Sequence, residues 1–238
     1  MSSVSPDVTA ERPIHTASLT AGIGLLLMSV LAGFGKFVAV DGLVTPGDAA
    51  RTAGDITESA GLFRFGIASL FLVIALDVVV AWGLYRVFSP VNRNLSMVAA
   101  AFRLVYSGVF LVAIGRLFGP LRLLADDAYL GVFSADQLNA QALLEITAFT
   151  DLWMVSLGLF GLHLLVLGYL AYRSGYVPRV LGVLLAIAGL GYVIDSFGVM
   201  LSPVAWADVS TYTFLGEFLL ALWLVIRGRR VTATGSSN

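Results

Sequence analysis

The sequence predicts an all-α fold: a polytopic membrane helical bundle with six transmembrane helices and both termini cytoplasmic. Three observations predict it. First, 58% of the 238 residues are hydrophobic and only 12% are charged, against roughly 45–50% and about 25% in soluble domains. Second, the apolar residues fall into six runs, each close to the ~20 residues that cross a bilayer as a helix. Third, arginine collects in the loops of one side, which the positive-inside rule assigns to the cytoplasm. The expected organisation is a disordered cytoplasmic tail over residues 1–15, one membrane domain over 16–230, and a flexible tail over 231–238.

The tail carries Pro6 and Pro13 and lacks the basic start of a secretory signal. Span one, about Ala17 to Val40, is too long for a signal core. Its Ser29 and Gly33, four apart, predict a close backbone approach, and Lys36 near its far end can snorkel to the interface. The loop from Asp41 to Ala60 is acidic and rich in turn residues. Span two, about Leu62 to Tyr85, begins with Arg64 and holds Asp77. Span three, about Leu95 to Leu117, holds Arg103 and Tyr106, and Gly119-Pro120 stops it. Ser134 with Gln137 three residues on predicts a capping box and a restarting helix. Span four, about Ile146 to Tyr172, carries Asp151 and His163. Span five, about Val180 to Met200, has a small-residue stripe of Gly182, Ala186 and Gly189, and Pro203 closes it. Span six runs from about Tyr212 to Ile226 and ends at Arg227, Arg229 and Arg230. The turns Tyr85-Arg86, Pro90, Arg93 and Tyr172-Arg173, Pro178, Arg179 resemble each other, as in a parallel hairpin repeat.

Ionisable groups inside spans are costly in lipid, so they mark the inward faces. Counting at ~1.5 Å per residue from the cytoplasmic turns puts Asp77, Arg103 and His163 at one depth, ~13–15 Å in. Asp77 and Arg103 lie on consecutive antiparallel helices and are expected to pair, either as a register-fixing ion pair or as part of a site. Tyr106 lies one turn on from Arg103 and extends that network. A second layer is expected toward the outer side, where Asp151, Asp195 and Glu217 face Arg64. Three carboxylates against one cation favour a retained proton and a general acid, or the binding of a cation; hydrated acids in a vestibule are the plain alternative. Asp151 and His163, twelve residues apart, are about 120° apart around an ideal helix, so the two layers can be separate.

Other chemistries are excluded. A net charge of -1 offers no basic face to nucleic acid. There is no cysteine, and His15 and His163 are the only histidines, so no metal site and no cofactor is expected. His163 is expected to hydrogen-bond a neighbouring group. No phosphate loop, nucleophile elbow or nucleotide fingerprint is present. Trp82, Trp153, Tyr169, Tyr172, Tyr192, Trp206 and Trp223 fit interfacial belts; if several turn inward, Trp153 and Tyr192 line a ligand cavity with Arg64, Arg103 and Tyr106.

The stretches Leu62-Phe63-Arg64-Phe65-Gly66, Asp77 to Tyr85, Pro90-Val91-Asn92-Arg93, Phe102-Arg103-Leu104-Val105-Tyr106, Phe160-Gly161-Leu162-His163, Gly168-Tyr169, Ser174 to Arg179 and Leu181-Gly182 resemble a bacterial integral membrane family, domain of unknown function 4386. The resemblance covers nearly the whole chain after the tail. It implies one helical membrane domain, placed in the bacterial cytoplasmic (inner) membrane by the arginine bias. It brings no catalytic residues.

Three functions are therefore expected as alternatives. One is a membrane-embedded acid/base enzyme, or a binding protein, for an apolar ligand such as a lipid or isoprenoid. Its acids would be Asp151, Asp195, Glu217 and Asp77 with His163, in the manner of terpene cyclases by analogy. The second is a small proton-coupled carrier using Asp77, Arg103 and His163. The third is an assembly subunit whose charges are registry pairs. The lipid bilayer is the expected partner throughout.

Overall fold

The computed structural model describes residues 8–125, 129, 131–202, 209–210 and 215–228, with the backbone alone for 8–14. The described residues are helical with no strand. The long helices are α1 (Val8–Gly33), α3 (Ala60–Phe88), α4 (Arg93–Arg116), α6 (Ala135–Arg173) and α7 (Arg179–Leu201), with the shorter α2 (Ala49–Glu58), α5 (Phe118–Leu123) and α8 (Leu215–Ile226). Among the described residues five helical segments are long and apolar enough to cross a membrane, and α8 is a shorter apolar helix. Helical backbone begins at Val8, inside the stretch expected as a tail. Residues 1–7, the tail over 231–238, Pro203, Trp206, Asp208, Tyr212, Arg229 and Arg230 lie outside the described residues.

Six of these helices pack in a closed order: α1 on α3, α3 on α4, α4 on α6, α6 on α7, α7 on α8, and α8 back on α1. The sealing residues are small or aliphatic. Gly161 and Gly189 approach so closely that a Cβ on either would lie 2.6–2.7 Å from the other's carbonyl oxygen, and Gly168 and Gly182 stand in the same relation at 2.7 Å. This is the expected Gly182–Gly189 stripe, placed against α6. The approach expected at Ser29 and Gly33 is not made. Ser29 hydroxyl bonds back to Leu25 carbonyl and Gly33 faces open space. Contact is made two residues later, where Gly35 meets Leu70 and Gly66 of α3.

Local signals explain the ends. Ser134 and Gln137 form the capping box expected of them, but α6 then runs unbroken to Arg173, so the amphipathic segment and span four are one helix. α4 ends at Arg116, and α5 restarts at Phe118 with Pro120 in its first turn, where the missing N–H costs nothing. Within the acidic loop, Asp48 caps α2 by accepting from Arg51 N–H. Beyond Gly33 the chain continues as a π-helical segment, Phe34–Val40, and a single 3-10 turn, Asp41–Leu43.

The two turns at the expected cytoplasmic end are tied together. Tyr176 hydroxyl donates to Val87 carbonyl at 2.6 Å and its ring stacks on Phe88 at 6.3 Å. Gly175 takes the positive φ of 75° that the turn requires. Burial pushes the Tyr176 phenol above its usual range, so it stays a donor through neutral pH. Tyr176→Phe is expected to cost about 1 kcal/mol, one net hydrogen bond. A thermal melt in detergent checks this: Tm falls by a few degrees while the helical content stays the same.

Candidate functional site

The buried charges converge on the axis of the ring. Arg103 of α4 and Asp77 of α3 are 1% and 0% exposed, and Arg103 Nη2 lies 2.6 Å from Asp77 Oδ1. The pair expected from depth counting is therefore present. Arg103 Nη1 donates to His163 Nε2 at 3.4 Å, and His163 Nδ1–H donates to Ala99 carbonyl at 2.8 Å. A guanidinium has no acceptor, so Nε2 must accept and the ring is the neutral Nδ1–H tautomer. Arg103 Nη2 also reaches Met28 Sδ of α1 at 3.7 Å. The guanidinium lies over the Phe160 ring at 5.3 Å, a favourable cation–π placement.

Glu217 of α8 belongs to this centre and not to an outer layer. Tyr192 of α7 donates to its carboxylate, and it lies within electrostatic reach of Arg103 and Asp77. Tyr106, expected to extend the network, is buried and packs on Phe110 and Phe160 at ring distances of 5.9 and 4.9 Å. Every helix of the ring thus gives the centre a group: Met28, Asp77, Arg103, His163, Tyr192 and Glu217. Asp77 is held by Arg103 and by the Ser107 hydroxyl. Arg103 Nε and Glu217 Oε1 are buried with no hydrogen-bond partner among the described residues.

The outer cluster expected from sequence does not form. Arg64 and Asp151 are exposed. Both sit on helices that are apolar nearly all round, so nothing in the sequence marked them as outward-facing. Asp195 is 1% exposed, but its oxygens accept from Val209 and Ser210 backbone N–H at 2.9 and 2.6 Å. It anchors the chain entering α8 and is not a free acid. Trp153 and Tyr192, assigned in part to interfacial belts, turn inward, whereas Trp82, Tyr169 and Tyr172 stay exposed. Among the described residues no group of three or more His, Cys, Asp or Glu is placed to hold a metal ion.

Sequence reasoning missed the surroundings of Lys36. Its ammonium lies 2.5 and 2.6 Å from the two Asp41 oxygens and over the Phe149 and Trp153 rings at 5.8 and 5.7 Å. It also missed Met28 and Phe160, for which only the Phe160-Gly161-Leu162-His163 run offered a signal. Beside His163 the helices leave only a narrow gap, lined by apolar groups including Leu84, Phe88, Ala99 and Leu167, with no room for a water molecule. A larger groove of about 440 Å³ lies away from the charges, between α2, α5 and the start of α6.

Comparison with known proteins gives a family without an assigned activity. A family model described as "Domain of unknown function (DUF4386)" matches residues 20–228. A protein of Archaeoglobus fulgidus described as "Uncharacterized protein" is 36% identical over 173 residues, covering 73% of this chain and 90% of that one. No solved structure matches.

Proposed function

The chain belongs to the DUF4386 family of membrane proteins, and from that premise we propose that it is a small proton-coupled carrier whose exchanging site is the centre of the helix ring. One observation carries the reading: two acids, Asp77 and Glu217, share one buried guanidinium, while His163 is a neutral acceptor. One cation neutralises one carboxylate, and an unbalanced charge at this depth is costly. The balance is completed by a proton on the acid that lacks the arginine contact, Glu217. Binding and release of that proton changes the charge that all six helices face. This is the kind of local event that shifts a packed bundle between two arrangements.

The arginine bias of the loops supports an orientation with the termini in the cytoplasm and a place in the cytoplasmic membrane.

The chain has no cysteine, so a single thiol placed at the centre gives an unambiguous readout. Ser107 is buried one turn from Arg103 and donates to the Arg103 carbonyl. With Ser107→Cys in proteoliposomes, labelling by a membrane-impermeant thiol reagent is expected to change with pH. Adding Glu217→Gln is expected to abolish that dependence. Labelling that ignores pH in both proteins, after correction for thiolate content, contradicts the carrier reading.

A further inference from the structure

We propose that the outer end of the ring is a binding site for an organic ammonium ion, occupied in this structure by the chain's own Lys36. This rests on the carrier reading and deepens it by naming the ligand class. Lys36 sits where a cationic ligand would be recognised: both oxygens of Asp41 chelate its ammonium and two aromatic faces, Phe149 and Trp153, lie under it. A carboxylate combined with ring faces is the chemistry that selects ammonium groups over neutral molecules. The Lys36 side chain is 12% exposed and that of Asp41 is 40% exposed, so the seat is sheltered but opens to the outer surface. Lys36 is presented by the π-helical segment Phe34–Val40, a rare geometry that concentrates at functional sites.

A second observation points the same way. From this seat a line of touching rings runs inward: Trp153 to Phe110 at 4.6 Å, Phe110 to Tyr106 at 5.9 Å, Tyr106 to Phe160 at 4.9 Å, and Phe160 to Tyr192 at 5.6 Å. The line ends at the Asp77–Arg103 pair and at Glu217, whose Oε1 is buried without a hydrogen-bond partner among the described residues. It already carries a cation at each end, Lys36 over Trp153 and Arg103 over Phe160. An anion would meet carboxylates at both ends. A neutral molecule would leave Asp41 unpaired when it displaced Lys36. A monocation with apolar substituents replaces the ammonium at the outer seat.

The test is equilibrium binding of benzyltrimethylammonium to the purified full chain, followed by titration calorimetry, with neopentylbenzene as the neutral probe of the same shape. Saturable binding of the cation alone is expected. Removing the resident competitor by Lys36→Gln should tighten it about tenfold, and Asp41→Asn should weaken it about tenfold, the scale of a partly desolvated cation–π and ion-pair seat. Trp153→Leu should weaken it too, which keeps the test open if one variant fails to fold. Equal binding of both probes, or affinities unchanged across the three variants, overturns the proposal. If ammonium binding fails while Ser107→Cys labelling still follows pH, the cation seat falls and the proton-coupled centre stands. If binding persists while labelling ignores pH, the seat stands and the carrier reading falls.

Discussion

Arg103→Met is expected to destabilise the protein by about 3–5 kcal/mol, the cost of leaving a buried charge without its partner. Several partners would lose Arg103 together. Asp77 would keep a carboxylate at 0% exposure with no cation, His163 Nε2 would lose its donor, and Phe160 would lose the guanidinium stacked on it. The double variant Asp77→Leu with Arg103→Met removes the stranded charge and should recover much of the loss, because a well-packed apolar pair replaces a buried ion pair at little net cost. Unfolding in mixed micelles reads both. The double variant also separates stability from function: a registry pair predicts recovery of everything, whereas the carrier reading predicts a stable protein whose central thiol no longer responds to pH.

Gly161→Val is the other large effect, expected at about 3 kcal/mol from overpacking a backbone contact. A Cβ at Gly161 would lie 2.6 Å from Gly189 carbonyl and 3.0 Å from Val193 N. Backbone on backbone cannot yield as the end of a flexible side chain can, so α6 and α7 must separate. Separation would move His163, two residues on, relative to Arg103. Gly108→Ala in α4 is the control, since nothing lies within 4 Å of a Cβ there; it should be neutral or stabilise by about 0.5–1 kcal/mol through helix propensity. Comparing the two melts separates seam packing from a general effect of losing glycine.

Depth was legible in the sequence where a helix could be counted from a short turn, and direction around the helix was not. Asp77 and Arg103 were placed correctly because both were counted from the same short turn along regular helices. Gly182 and Gly189 were legible because small residues at helical spacing mean close approach whichever helix they meet. Glu217 was misplaced in depth, because no short turn precedes α8 from which to count, whereas Arg64 and Asp151 were misplaced in direction. In a soluble helix polar residues mark the outside, but these helices are apolar nearly all round, so no periodicity separates the face toward the axis from the face toward lipid. Lys36 was misread because its orientation depends on a π-helical segment, which leaves no compositional trace. Asp195 was read as an acid near a vestibule, when its depth also suits a carboxylate that holds two backbone N–H groups of the chain leading into α8.

The central claim is that the acid lacking the arginine contact keeps a proton inside the bundle. Isotope-edited infrared spectroscopy of the reconstituted protein, with carboxyl-labelled glutamate, tests it most directly. The account predicts, near neutral pH, the carbonyl stretch of a protonated carboxylic acid in an apolar setting, present in the wild type and absent in Glu217→Gln. A spectrum in which Glu217 is fully ionised at that pH would contradict it.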